Sequence, residues 1–125
     1  MQRHVVSVTT DASGDVTAYT GAAVDGEILS IRYVPHATTP LDTGGDITIT
    51  GEDSATPVIT ITNIGTAAVN YAPRQATHST TGVAALYAAA GTAVNDRIAI
   101  ANERIKVVVV TGGNAKLGKF HITTE

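Results

Sequence analysis

The residues that could do chemistry are few and scattered. Asp42, Asp46, Glu52 and Asp53 flank the segment DITIT, and four histidines, His4, His36, His78 and His121, stand apart along the chain. A hard cation needs several loop oxygens together, and these acids do not follow the roughly twelve-residue calcium-loop spacing. They read as turn residues, with Asp42 and Asp53 bonding local amides. No HxH or HExxH pair gathers the histidines for zinc. Cysteine is absent, and none of the five serines (Ser7, Ser13, Ser30, Ser54, Ser79) lies in GxSxG or SxxK. Asp46 and Glu52 are the pair of acids to consider for glycoside chemistry. Aromatic residues to stack a sugar are sparse, limited to Tyr19, Tyr33, Tyr71, Tyr87 and Phe120. Gly44-Gly45 and Gly112-Gly113 lack phosphate-loop spacing and an ensuing helix, so they read as turns. The expectation is a protein that is not an enzyme, with no catalytic residue, no metal and no cofactor.

The elements that would position any site are strands. Arg104–Thr111 (RIKVVVVT) carries four consecutive valines, which fits a central strand covered on both faces. Alternation predicts strands over Arg3–Thr10, Val16–Thr20, Glu27–Val34, Asp46–Thr50, Val58–Ile64, Ala93–Ala101 and Lys119–Thr124, with a short one at Val69–Ala72. The turn Asp11–Asp15 makes the opening a hairpin, and Asn102-Glu103 makes a tight hairpin into the valine strand. Leu29, Ile31 and Tyr33 are assigned to the core. Ile47 and Ile49 are expected to oppose Ile59 and Ile61 on one buried face. Pro35–Gly45 is a long loop of the kind that is usually functional or mobile. Gly82–Gly91 is the one helix candidate, at about two turns too short to stand without packing; helix and irregular loop are equally good readings. The fold class is all-β, an antiparallel β-sandwich or jelly roll with at most one short helix, in a single domain over residues 1–125.

Composition narrows the partners. The 125 residues carry eight Lys and Arg, eleven Asp and Glu, and a net charge of −3. The cations are dispersed, so the reading is no nucleic-acid binding. No run approaches about 18 uninterrupted apolar residues, and Met1–His4 leads straight into a strand pattern, so no membrane span and no secretory leader are expected. Only 15% of residues are charged, and twenty are threonine. A surface so poor in charge suits coverage by identical neighbours or a larger partner. Tyr71-Ala72-Pro73-Arg74 is the leading surface candidate, because an arginine head can stack and bond bidentately; the other reading is an ordinary loop with Tyr71 packed inward and Arg74 solvated.

Four stretches, QRHVVSVTTDASGDVTAYT, ILSIRYVP, LDTGGDITITGE and ERIKVVVVTGGNAKLGKFHITTE, resemble small structural proteins of tailed bacteriophages. The resemblance spans essentially the whole chain and rests on strand and turn patterns. Within that group it implies a capsid decoration (cement) protein: a compact β-rich subunit, commonly a homotrimer, bound to the major capsid protein on the outside of the virion shell after assembly in the bacterial host cytoplasm. Contacts would then come from Met1–His4, Pro35–Gly45 and Tyr71–Thr81, with Arg3, His4, His36, Leu41, Tyr71, Pro73, Arg74 and His78 as candidate interface residues. A receptor- or glycan-binding module of a head fibre or tail, or a head–tail connector component, are the alternatives; a small hydrolase or lyase ranks last.

Overall fold

The computed structural model describes all of residues 1–125. Eleven strands follow in order: β1 (Gln2–Thr9), β2 (Val16–Tyr19), β3 (Val24–Pro35), β4 (Asp46–Gly51), β5 (Pro57–Ile61), β6 (Val69–Tyr71), β7 (Gln75–Ala76), β8 (Asn95–Asp96), β9 (Ile98–Glu103), β10 (Ile105–Val110) and β11 (Leu117–Thr124). There is no helix. Gly82–Gly91 forms turns and single bridges instead: the Gly82 and Gly91 amides close isolated turns, while those of Ala85 and Tyr87 bond to Thr77 O and Thr92 O, so no run of helical bonds forms.

Two curled antiparallel sheets face each other, giving the sandwich-like all-β fold. The four-stranded sheet runs β2-β10-β4-β5, so the valine strand is interior to it. Only one of its faces is fully covered: Val107 and Val109 are buried, Val108 is half-buried and Val110 is exposed. A run of β-branched residues encodes extended backbone without saying how many faces are packed. The five-stranded sheet runs β1-β11-β3, with β6 and β9 both pairing with the far edge of β3. The isoleucines of β4 and β5 pair as expected, Ile47 with Ile61 and Ile49 with Ile59.

Neither expected hairpin forms. β1 pairs with β11 and β2 with β10, so the Asp11–Asp15 turn carries the chain from one sheet to the other. The turn itself is built as its residues dictate: Asp11 Oδ1 accepts from the amides of Ser13 (2.9 Å) and Asp15 (3.0 Å). Likewise β9 lies in the five-stranded sheet and β10 in the four-stranded one, and Asn102, at φ 51°, turns the chain between them. In β3, Gly26 sits at a register shift opposite β9, and a Cβ there would strike the Glu125 carbonyl. Ile28, Ile31 and Tyr33 are buried while Leu29 is only half-buried, since the register of β3 against β11 also shifts, between Ser30 and Ile28.

The core holds nineteen buried apolar side chains drawn from both sheets. Tyr33 and Phe120 meet at its middle, ring centroids 5.3 Å apart. The Pro35–Gly45 loop is tied to this body. Leu41 is wholly enclosed, the Asp42 amide donates to Gly112 O (2.9 Å), and Leu117 N donates to Thr39 O (2.9 Å).

Between β6 and β9 the chain leaves the body. Residues 75–96 contribute no side chain to the core. They are held by a closed ring of three backbone hydrogen bonds: Thr77 N to Val94 O (2.8 Å), Val94 N to Ala85 O (3.0 Å) and Ala85 N to Thr77 O (3.0 Å). Two tight turns, closed by Gly82 N to Ser79 O (2.9 Å) and Gly91 N to Ala88 O (2.8 Å), complete this three-run excursion.

Candidate interaction surface

The candidate contact residues do not form one surface. Arg3 is exposed on the outer face of β1; His4, one residue on, points the other way, half-buried, and its buried Nε2 has no hydrogen-bond partner. Gln2–His4 pairs with Ile122–Thr124, so this stretch is sheet and not a free arm. His36 is exposed, and its Nδ1 accepts from the amides of Thr38 (3.3 Å) and Thr39 (3.1 Å), which shapes the loop locally. Leu41 and Pro73 are corrections, since both are buried and offer no side chain to a partner. Their apolar bulk is better used against the body than in solvent. Tyr71 is half-buried against the core. Arg74 is exposed, but its head donates to Pro73 O (2.7 Å) and Leu29 O (3.3 Å), pinning the start of the excursion to β3. His78 is exposed on the excursion.

Of the acids flanking DITIT, three have a partner for the side chain, and the expected bonds from the Asp42 and Asp53 carboxylates to local amides do not form. Asp46 accepts from the Asn63 amide (3.1 Å), Asp42 lies 3.9 Å from Lys116 Nζ, and Glu52 pairs with Arg104 through both carboxylate oxygens. That pairing holds the Glu52 carboxyl below its ordinary pKa. Arg104 in turn lies over the Tyr19 ring, 4.4 Å from its centroid, linking β2, β10 and the turn after β4. Nowhere do three or more His, Asp or Glu side chains converge in a way that could hold a metal ion. The concavities are shallow: an open groove of about 390 Å³ bordered by Ser7, Thr9, Val34, Pro35, Leu117 and Lys119, and a smaller one of about 250 Å³ beside Val110.

Two features stand out instead. The first is the excursion. From Gln75 to Asn95 there is no Asp, Glu, Lys or Arg, and its large apolar side chains face solvent: Val83 is 64%, Leu86 42% and Tyr87 76% exposed. Isolated exposed apolar residues are ordinary; three on one uncharged run form an unusual apolar cluster. In the sequence the signal is an uncharged, alanine-rich run, which says nothing by itself about which side chains reach solvent.

The second is the outer face of the five-stranded sheet. Register places His121 between Val5 and Arg32, and Lys119 between Ser7 and Val34, with Arg3 opposite Thr123. Burial first, then the charges of Arg3, Lys119 and Arg32, push the His121 imidazole below its ordinary pKa. The three cations make no ion pair, the salt bridges of the chain being Arg97 with Glu27 and Glu125, Arg104 with Glu52, and Lys116 with Asp42. Dispersed in the sequence, they become neighbours only through strand pairing.

No family model matches the chain, and neither the curated proteins nor the solved structures give a match to it. No helix of the structure is long and apolar enough to cross a membrane.

Proposed function

We propose that this chain is a shell-decorating (cement) protein of the tailed-phage type, a homotrimer that docks on the outside of a mature capsid. The observation that carries the proposal is the excursion of residues 75–96, a protrusion free of charge from Gln75 to Asn95 that presents Val83, Leu86 and Tyr87 to solvent from a body whose own core is complete without it. The phage-like strand and turn segments of the chain support the same reading. The mechanism is mechanical: a subunit that binds the expanded shell and not its precursor stabilises the expanded state by mass action. Each copy contributes a modest free energy, and many copies on a lattice resist internal pressure together. An aromatic tip in a complementary pocket is the type of contact that dominates such binding.

The test is saturable binding to shells assembled from a tailed-phage major capsid protein, before and after expansion. The chain is expected on expanded shells and not on unexpanded ones. The triple substitution Val83→Ser, Leu86→Ser, Tyr87→Ser is expected to weaken binding by at least about tenfold while leaving the circular dichroism unchanged. Equal binding to both shells, or to neither, removes the proposal. Light scattering after size exclusion checks the trimer, which a monomeric mass would refute.

A further inference from the structure

We infer that the outer face of the five-stranded sheet binds an extended acidic segment of a partner protein, with carboxylates over Arg3, Arg32 and Lys119 and an apolar side chain in the adjoining groove. The inference stands apart from shell docking, which uses the excursion.

Arg3, Lys119 and Arg32 lie on three adjacent strands, β1, β11 and β3, around His121. With neighbouring strands about 4.8 Å and alternate residues about 6.8 Å apart, the register sets the three cation positions about 8–14 Å from one another, each adjacent to His121. The field they make is felt by His121 from all three directions. No carboxylate answers it: Glu27 and Glu125, at the far end of the same sheet, are engaged by Arg97. In a chain of net charge −3, a cluster of three cations that forms no ion pair, with the acids of the sheet held by Arg97 at its far end, is a local asymmetry that attracts an anion.

The class of anion follows from count and shape. Nucleic acid draws its affinity from displacing many counterions, and three cations release few. Several carboxylates on one extended strand fit better, because its same-side residues lie about 6.8 Å apart, so carboxylates one or two such steps apart reach across the roughly 8–14 Å that separates the cation positions. Beside Lys119 the groove offers Val34, Pro35 and Leu117 as apolar walls with Ser7 and Thr9 at the edge. A peptide alternating acidic and apolar residues matches this arrangement, and neither free phosphate nor a purely acidic polymer uses the groove.

Fluorescence anisotropy with a labelled alternating Glu–Val peptide tests the inference on the intact chain, with an alternating Lys–Val peptide and an oligothymidylate of matched length beside it. The Glu–Val peptide is expected to bind saturably and more weakly as salt rises, and the Lys–Val peptide not at all. Arg32→Glu with Lys119→Glu is expected to weaken binding at least about tenfold. Arg32→Gln with Lys119→Gln, which perturbs the sheet less, should lower it several-fold, and Lys106→Gln on the opposite sheet should leave it unchanged. Bound peptide should also raise the His121 titration midpoint seen by NMR. Equal binding of both peptides, tighter binding of the oligothymidylate, or Glu–Val binding that survives the glutamine pair while the fold is intact would overturn it.

Discussion

Glu103 Oε1 accepts both the amide (3.1 Å) and the hydroxyl (3.1 Å) of Ser54, and a third bond from the Asp53 amide (3.0 Å). Glu103 ends β9 where the chain crosses from one sheet to the other, and Ser54 lies in the turn between β4 and β5. One carboxylate therefore fastens the crossing to the far sheet. The packing is close enough that a Cβ at Gly51 would collide with it. The Ser54 amide, then its hydroxyl, hold the carboxyl below its ordinary pKa. A carboxylate with a folded pKa below its unfolded value stabilises the protein above about pH 4.3, and that stability is lost as pH falls through the folded value. Glu103→Gln is expected to lower the neutral-pH Tm and to flatten the acid limb of the Tm-against-pH curve relative to the parent. Glu52 is also held low, by Arg104, and its charge opposes that of Glu103, so the difference between the two curves reports Glu103 together with its repulsion from Glu52. Identical Tm values at pH 7 would show that the crossing does not depend on this carboxylate.

Tyr33 is wholly buried against Phe120, and its hydroxyl has no hydrogen-bond partner, while burial pushes the phenol pKa up. An unsatisfied buried hydroxyl costs free energy that its removal returns. Tyr33→Phe is therefore expected to leave stability unchanged or raise it by up to about 1 kcal/mol in urea denaturation. Phe120→Ala, which empties the middle of the core, should cost about 3–5 kcal/mol. Destabilisation by Tyr33→Phe beyond about 1 kcal/mol would mean that the hydroxyl is bonded, the Leu41 amide being the nearest backbone candidate.

What the sequence made legible was local. DITIT and VITIT declare period-two strands, and their isoleucines pair as that period requires. Asp11 and Gly14 declare a turn and make one. Which sheet the next strand joins is not written in a turn, so Asp11–Asp15 and Asn102-Glu103 looked like hairpin closures and are sheet crossings. The alanine-rich stretch 82–91 has helical spacing, but two turns do not repay helix nucleation. Its Ala85 and Tyr87 amides bond instead to Thr77 and Thr92, eight residues back and five ahead, offsets that no helical periodicity encodes. The basic face needed register before Arg3, Arg32 and Lys119 could be seen as neighbours. Exposure of Tyr87 and enclosure of Leu41 are likewise outcomes of tertiary packing.

His121 reports on that face directly. Its half-buried imidazole is surrounded by Arg3 and Val5 on β1, Lys119 and Thr123 on β11, and Arg32 on β3, with no acid among them. The folded pKa lies below the unfolded one, so the unfolded chain takes up the proton first and stability falls as pH drops through about 6.5. NMR titration is expected to place the His121 midpoint below that of a histidine in a short peptide, and Arg32→Gln should move it upward. A midpoint at or above the peptide value would mean that the three cations do not converge on the ring.

The excursion should behave as a separable unit of low stability. Its three-bond backbone ring is reinforced by the Thr77 hydroxyl, which donates to Val94 O (2.8 Å), and by no core side chain; each bond contributes about 1 kcal/mol net. Local opening then needs far less free energy than unfolding the body. In the free protein, the amides of Thr77, Ala85 and Val94 are expected to exchange orders of magnitude faster than those of Val107 and Ile49, which sit in interior strands of the four-stranded sheet. Gln75 pairs with Asp96 and Ala76 with Asn95, so replacing residues 77–94 by Asn-Gly closes the gap with a two-residue turn. The shortened chain is expected to keep its β-sheet circular dichroism and a Tm within a few degrees of the parent, while losing shell binding. A fall in Tm beyond about 10 °C would show that the excursion packs on the body rather than standing away from it.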